Sequence, residues 1–337
     1  MCKLTVFVGI DYHQDVVQVC IMDRQGKVLA NRSVGNSVEE VAAVVAPHGS
    51  EVHAAIEACG GAAAMADALV TQLGWVVDLA HPGYVARIKQ SPDKTDFSDA
   101  RLLADLVRVG YLPRVWLAPF ALRELRHVVR YRQQLVAQAR SNKLRVRGLL
   151  RENRAKLCDV TPWTKKWILW LRTTKDVGPE SRWVLDQLLG QIERLQSDIV
   201  TAEKRLEQLT ADDPVVAALL NQKGVGVITA VTLRAEIGRF DRFRTGKQLS
   251  RFCGLSPRNA SSGNRQADAG LIKAGNPQLR TVLIELAHRL KRWDPRWAKL
   301  AFTMRMRDKK GSVIAAAVAN RWVRWLFHQM QAINQAA

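Results

Sequence analysis

Four acidic residues in the first hundred positions have the types and spacing to do chemistry together: Asp11, Glu57, Asp96 and Asp99. Carboxylate oxygens are hard ligands. Several of them converging on one point hold a divalent cation, Mg²⁺ or Mn²⁺ in its place, against a phosphate group. Asp96 and Asp99 are spaced i, i+3 and so share one face of a helix. Gathered carboxylates repel one another and would partly protonate. Two bound ions about 3.5–4 Å apart remove that problem, one activating the attacking group and the other steadying the leaving oxygen. Taken singly, each acid has an ordinary structural explanation: Asp after a strand often caps a turn, and Asp96 could cap its own helix. It is the four together, in the element order that follows, that favour catalysis.

The elements that must position them are legible from periodicity. Residues 4–11 alternate, with Val6, Val8 and Ile10 on one face and Phe7 and Gly9 on the other, ending in Asp11. Val16 to Met22 and Val28 to Val34 read as two further strands joined by tight turns. Ser37 has the place of an N-cap with Glu40 as its capping-box partner, and the helix it opens ends near Pro47. Val52 to Glu57 is a buried strand. After Gly60-Gly61 comes an alanine-rich helix to about Leu73, then a short strand from Trp75 to Leu79. Pro82 opens a helix, and another runs from about Asp96 to Val109. The order β-β-β-α-β-α-β-α-α is that of a ribonuclease-H-like mixed sheet with helices on its faces. In such a sheet Asp11 and Glu57 lie near each other on one edge, and a helix crossing that edge would bring Asp96 and Asp99 to them. The expected fold class is α/β plus all-α. Residues 1–115 form a RuvC-like catalytic domain, 116–212 a basic helical and coiled-coil segment suited to oligomerisation, and 213–337 a mainly helical C-terminal domain.

Charge divides the chain in the same place. The 337 residues carry a net charge of +20. Residues 1–115 hold 10 Lys/Arg against 13 Asp/Glu, whereas the remainder holds 41 against 18. A basic excess confined to one part of a chain points to a polyanionic partner. The five cysteines are far apart and form no CxxC pair, so neither a zinc site nor a disulfide framework is indicated, and a reducing cytoplasm fits. The N-terminus runs straight into a strand pattern, so no signal peptide is expected, and no apolar run approaches the ~20 residues of a membrane span.

Pro113 and Pro119 bracket an expected linker. From Leu122 to about Leu157 the pattern is helical, and residues 120–156 carry eleven Lys/Arg, among them Arg123, Arg126, Arg130, Lys143 and Arg147, against Glu124 and Glu152 alone. That bias suits a phosphate-tracking surface better than a solvated face of mixed sign. Trp163, Trp167 and Trp170 suit packing at a seam between domains. Leu185, Leu188, Ile192, Leu195, Ile199, Ala202, Leu206 and Leu209 alternate spacings of three and four, as in a coiled coil or an amphipathic helix packed within the chain. A hairpin with the basic helix would satisfy both. After Asp212-Asp213-Pro214, two helices flank a Gly224-Val225-Gly226 turn whose free N–H groups could meet phosphate. From 289 to 324 the chain is basic again, with Trp293, Trp297, Trp322 and Trp325 interleaved.

The stretch from Gly254 to Arg280 is rich in small residues, with Ser261 and Ser262 followed by Gly263 and with Arg258, Arg265, Lys273 and Arg280 nearby. A serine flanked by cations could attack a phosphodiester. Equally, the two serines could form a turn, and spacing alone favours that. Four segments together carry a resemblance: Val8-Gly9-Ile10-Asp11, Glu57-Ala58-Cys59-Gly60-Gly61, Lys94-Thr95-Asp96-Phe97-Ser98-Asp99-Ala100, and Gly254 to Arg280. The chain, from about residue 5 to about 290, resembles the DEDD transposases of bridge-RNA-guided insertion sequences, with Piv-type DNA invertases as relatives. It departs at Cys59, where Thr or Pro-Thr variants are commoner, with no evident chemical consequence.

The resemblance implies a metal-binding tetrad at Asp11, Glu57, Asp96 and Asp99 and a nucleophilic serine at Ser262, with Ser261 as its neighbour, both halves acting in one composite site. It implies donor and target DNA and a structured noncoding guide RNA as partners, with base pairing choosing the sequence and the protein reading shape and phosphates. Strand exchange needs two active sites, hence a homodimer or homotetramer, in the nucleoid-bearing cytoplasm of a prokaryote. The competing possibilities are a RuvC-like Holliday-junction endonuclease with no covalent serine step, a non-catalytic nucleic-acid scaffold, and an actin-like ATPase. The last is disfavoured by the basic excess and the lack of a second phosphate loop.

Overall fold

The computed structural model describes residues 4–89, 95–156, 158–259, 268–272 and 274–336. The chain divides into two compact units, Met1–Ala118 and Pro119–Ala337.

The first unit is built on a six-stranded sheet. Its elements are β1 (Thr5–Tyr12), β2 (Val16–Met22), β3 (Val28–Gly35), α1 (Val38–Val45), β4 (Glu51–Glu57), α2 (Ala62–Leu73), β5 (Val76–Ala80), α3 (Pro82–Ile88), α4 (Asp96–Arg108) and β6 (Arg114–Val115). The strand order is β3-β2-β1-β4-β5-β6. The first three strands form an antiparallel meander, β1-β4 and β4-β5 are parallel, and β6 is antiparallel to β5. This is the mixed sheet expected of a RuvC-like unit.

Strand alternation sorts the side chains between two helical layers. Val6, Val8 and Ile10 of β1 join Val52, Ala54 and Ile56 of β4 under Val41 and Val45 of α1 and Met65 and Leu69 of α2. On the opposite face Ala55, Cys20 and Met22 meet Ala100, Leu103 and Ala104 of α4. Gly9 sets how closely α4 sits. A Cβ built there would lie 1.9 Å from the Ala100 carbonyl oxygen and 2.4 Å from the Ala104 nitrogen, so the helix backbone rests directly on the strand.

Two local features differ from the sequence-based expectation. Ser37 does cap α1, its hydroxyl accepting from the Glu40 N–H at 3.2 Å, but Glu40 reaches past the cap and accepts from the Gly35 N–H at 2.7 Å. The second half of the bond pair therefore ties the helix to the end of β3. Within the expected linker, Arg114 and Val115 pair with Ala80 and Leu79 as β6. Two residues are too few to show a period.

The second unit is helical apart from one small hairpin. Its elements are α5 (Phe120–Glu152), α6 (Lys165–Thr173), α7 (Pro179–Leu209), α8 (Pro214–Leu220), α9 (Val227–Ile237), α10 (Gly246–Phe252), β7 (Pro257–Asn259), β8 (Asp268–Leu271), α11 (Pro277–Trp293), α12 (Pro295–Arg305) and α13 (Gly311–Ala336). The long helices α5 and α7 run antiparallel, as Arg132–Glu203, Asn142–Gln191 and Asn153–Ser181 hydrogen bonds show. Leu185, Leu188 and Ile192 of the heptad pack with Val146 and Leu150 of α5, and Trp163, Trp167 and Trp170 fill the same cluster. The helix facing the heptad is thus α5 of the same chain.

Candidate active site

The strand ends bring the first two acids together. The parallel pairing of β1 and β4 ends at Ile10↔Ile56, so Asp11 and Glu57 are the next residue on each adjacent strand. Both fall on the α4 face, in phase with Gly9 and Ala55. The next two acids come from the first turn of α4. Thr95 is the N-cap, its side chain accepting from the Ser98 N–H, with Ser98 completing a capping box. The cap is therefore made without Asp96. Asp96 and Asp99 stand in the turn where the helix dipole favours negative charge, and the contact of Ala100 and Ala104 with Gly9 fixes that turn beside the end of β1.

His13 bridges the two halves. Its Nε2 lies 3.4 Å from Asp11 Oδ2 and 3.4 Å from Asp96 Oδ1. One ligand atom from each of Asp11, His13 and Asp96 falls within 4.8 Å of the others, close enough to share one metal ion. Asp11 is largely buried, and burial pushes its carboxyl above the usual 3.8. His13 opposes that shift, and the charges of Asp96 and Asp99 add to it. Asp99 is paired with Lys89, and both side chains are mostly buried. Glu57 is half-buried. Burial pushes the Cys59 thiol up, a hydrogen bond with the Ala62 backbone opposes that, and the charges of Glu57 and Asp11 add to it. Gly61 closes the rim, at a φ of +90°. A Cβ on it would meet the Tyr12 hydroxyl at 2.2 Å. The donor set fits a hard divalent cation: carboxylate oxygens dominate, and Asp11 carries an ionisation penalty that a nearby cation would relieve.

His13 and Lys89 were not singled out from sequence. His13 had a signal, since it follows Asp11 by two and so shares its strand face. Lys89 had none, because ten residues and a helix end separate it from Asp99.

The cations expected to bind nucleic acid fall into distinct settings. Arg126 donates from Nε to the Ala235 carbonyl at 2.6 Å. Arg130 makes a two-pronged pair with Glu236, at 2.9 and 3.0 Å. Glu236 is 3% exposed and also accepts from Asn276 at 2.7 Å, so both arginines join α5 to α9. Arg123 is half-buried, with its guanidinium 5.7 Å from the Phe120 ring centre, and Lys143 lies 5.1 Å from that of Trp163. Arg147 is exposed and rims a cavity with Arg151 and Arg154. Gly224 turns at a φ of +81°, Gly226 is the N-cap of α9, and Arg289 lines the shallow surface beside them. Arg258 is exposed on β7, while Arg280 donates to the Ile272 carbonyl at 3.2 Å. Ser261, Ser262, Arg265 and Lys273 lie outside the described residues. Among the described residues no helix is long and apolar enough to cross a membrane.

Comparison with known proteins identifies the two halves. Residues 8–154, the span holding all four acids, match the model of the IS110 DEDD transposase domain. Residues 216–301, the span holding Ser262, match that of the IS116/IS110/IS902 transposase family. The transposase for insertion sequence element IS1111A of Coxiella burnetii is 27% identical over 326 residues, covering 94% of this chain and 88% of that protein. A probable family 20 transposase of Pseudomonas aeruginosa is 28% identical over 334 residues, covering 95% of each chain. The putative transposase y4qE of Sinorhizobium fredii is 30% identical over 231 residues, 68% of this chain and 56% of its own length. With two successive family matches spanning more than two thirds of its length, the chain belongs to the IS110 family of transposases.

Proposed function

We propose that this transposase cuts and rejoins the DNA of its own insertion element, using Asp11, Glu57, Asp96 and Asp99 to hold Mg²⁺ and Ser262 as nucleophile. The observation that carries the metal half is the field around Asp11. A mostly buried carboxylate, destabilised by Asp96 and Asp99, touches His13 at the edge where β1 and β4 end. Bound there, a divalent ion would offset the gathered negative charge and draw a phosphate oxygen to the sheet edge. Asp11 and Glu57 would supply oxygens from rigid strands and Asp96 from a capped helix turn, while Asp99 would do so on release from Lys89.

In the serine half, Ser262 Oγ forms a bond to phosphorus as the bond to the departing deoxyribose oxygen breaks. The serine proton leaves, and the departing oxygen takes one up. Attack by the hydroxyl of the incoming strand reverses these changes and frees the serine. Two such sites must act together, so the working form is a homodimer or homotetramer. Because the heptad of α7 is packed on α5, subunit contacts would use other surfaces. The excess of 41 cations over 18 acids beyond residue 115 supports binding of both donor and target DNA and of a structured guide RNA, in the nucleoid-bearing cytoplasm.

The test is a recombination assay with full-length protein, Mg²⁺, element-end DNA and the noncoding RNA transcribed beside the gene. Asp11→Ala is expected to abolish strand cleavage, and Ser262→Ala to abolish the covalent protein–DNA adduct together with cleavage. Cleavage that survives Ser262→Ala but not Asp11→Ala would assign a junction endonuclease instead. Cleavage that survives both would remove the proposal.

A further inference from the structure

The C-terminal helices form a cleft of about 640 Å³, lined in part within the second family match, from Lys247 to Pro257 and at Leu271, and in part beyond it, from Met304 to Arg324. Its lining carries five cations: Lys247 of α10, Arg307 and Lys309 from the turn after α12, and Arg321 and Arg324 of α13. All five are exposed. Among the described residues none of them is in an ion pair, and no acidic side chain lines the cleft. Asp308, between two of them in sequence, is not part of the lining. Five like charges facing one space raise each other's energy and are stable only beside solvent or a counter-anion.

The floor suits a chain of anions. Arg321 and Arg324 are spaced i, i+3 on α13, with Ala317 one turn before Arg321 and Ala316 beside it. Small side chains there let a backbone approach the helix while longer cationic ones flank it. Asn320 fixes the floor, its Nδ2 donating to the buried Ser250 hydroxyl at 2.7 Å and to the Leu255 carbonyl at 3.1 Å. One wall is the base of the β7–β8 hairpin, where Pro257 pairs with Leu271. In sequence, those strands flank the interval that contains Ser262.

We propose that this cleft is a phosphodiester-binding channel that holds the sugar-phosphate backbone of a nucleic-acid strand at the base of the β7–β8 hairpin. The inference rests on the reading of the chain as a DNA-rejoining enzyme and adds to it where a strand is gripped. The ligand chemistry is the phosphodiester backbone, which DNA and the guide RNA share.

The experiment measures fluorescence anisotropy of full-length protein with a 30-base-pair DNA duplex and, separately, a 30-nucleotide single-stranded RNA, across a series of salt concentrations. Each phosphate contact contributes about 0.9 to the log–log salt slope for duplex DNA and about 0.7 for a single strand. Arg307→Gln/Arg321→Gln/Arg324→Gln is therefore expected to lower the slope by about 2.7 on DNA or about 2.1 on RNA, with affinity near 0.1 M salt at least about tenfold weaker. The polymer affected identifies the source. A charge-matched control, Lys165→Gln/Lys166→Gln/Lys175→Gln, is expected to keep the wild-type slope. Should the triple arginine variant lose its melting transition, Arg321→Gln alone is measured, with an expected fall of about 0.9 on DNA or about 0.7 on RNA. Wild-type slopes in the cleft variant, or an equal fall in the control, overturn the channel and leave the proposed function standing. A wild-type chain that binds neither polymer overturns both.

Discussion

Gly9→Ala tests the link between packing and catalysis most directly, because it adds one methyl group and no charge. The new Cβ would sit 1.9 Å from the Ala100 carbonyl oxygen, where ordinary contact begins at 3.4 Å. Both obstructing atoms are backbone, so no side chain can swing away, and α4 must retreat by about 1.5 Å or β1 must bend. Overpacking of this kind costs about 1–3 kcal/mol. For a unit of this size that lowers Tm by about 4–12 °C. The same retreat carries Asp96 and Asp99 away from Asp11, and misplacement of about 1 Å in a catalytic group costs about 100-fold in rate. Melting curves and Mg²⁺-dependent cleavage of element-end DNA should therefore fall together. Gly60→Ala is the control, since a Cβ there meets nothing within 4 Å, and it should leave Tm and rate at wild-type values. A Gly9→Ala protein that melts and cuts like wild type would show that α4 does not position the acids, and the argument for a preorganised site would fail.

Two further outcomes follow from the same geometry. Burial raises the Asp11 carboxyl above 3.8, so the folded state holds that proton more tightly than the unfolded chain. Stability is then lost as pH climbs from 3.8 through the raised value, and stays lower above it. Asp11→Asn should accordingly melt higher than wild type at pH 7 in chelator, with the gap closing as pH falls towards 4 and with no stabilisation by added Mg²⁺. An asparagine variant that melts lower at pH 7 would contradict this. In the second unit, Glu236→Gln leaves Arg130 without its anion and weakens the Asn276 contact at the start of α11. Removing one partner of a buried pair costs about 3–5 kcal/mol, and the low end applies because Arg130 is half exposed. Urea unfolding would read this as a lower midpoint, and an unchanged midpoint would show that the pair does not hold α5 to α9.

The sheet was legible because its signal is local and periodic. Val6, Val8 and Ile10 alternate with Phe7 and Gly9, and the structure buries the first set under α1 and α2 while turning the second toward α4. The spacing of Asp96 and Asp99 likewise announced a shared helix face. What the pattern could not carry was long-range. Lys89, just past the end of α3, meets Asp99 in the first turn of α4, and no spacing encodes that. Glu40 bonds to Gly35 instead of closing the capping box because β3 ends within reach of its carboxylate, a fact of the tertiary path. Strand β6 is held by pairing with β5 and by Arg114 on Asp78 at 3.0 Å, not by its own two residues.

Net charge was read correctly as a sum, yet a sum cannot say which cations are available to a partner. On α5 the difference arises from α9, which is buried nearly all round and ends in an unshielded carbonyl at Ala235 and a buried carboxylate at Glu236. Those two acceptors need donors, and Arg126 and Arg130, one helical turn apart, meet both. Burial lowers the Arg126 pKa and the Glu236 charge opposes that, while the bond to Glu236 raises that of Arg130. Among the described residues no acidic side chain lines the cleft that holds Arg307, Arg321 and Arg324. The same residue type therefore builds the helical frame where a buried acceptor is present, and remains free to meet phosphate where none is.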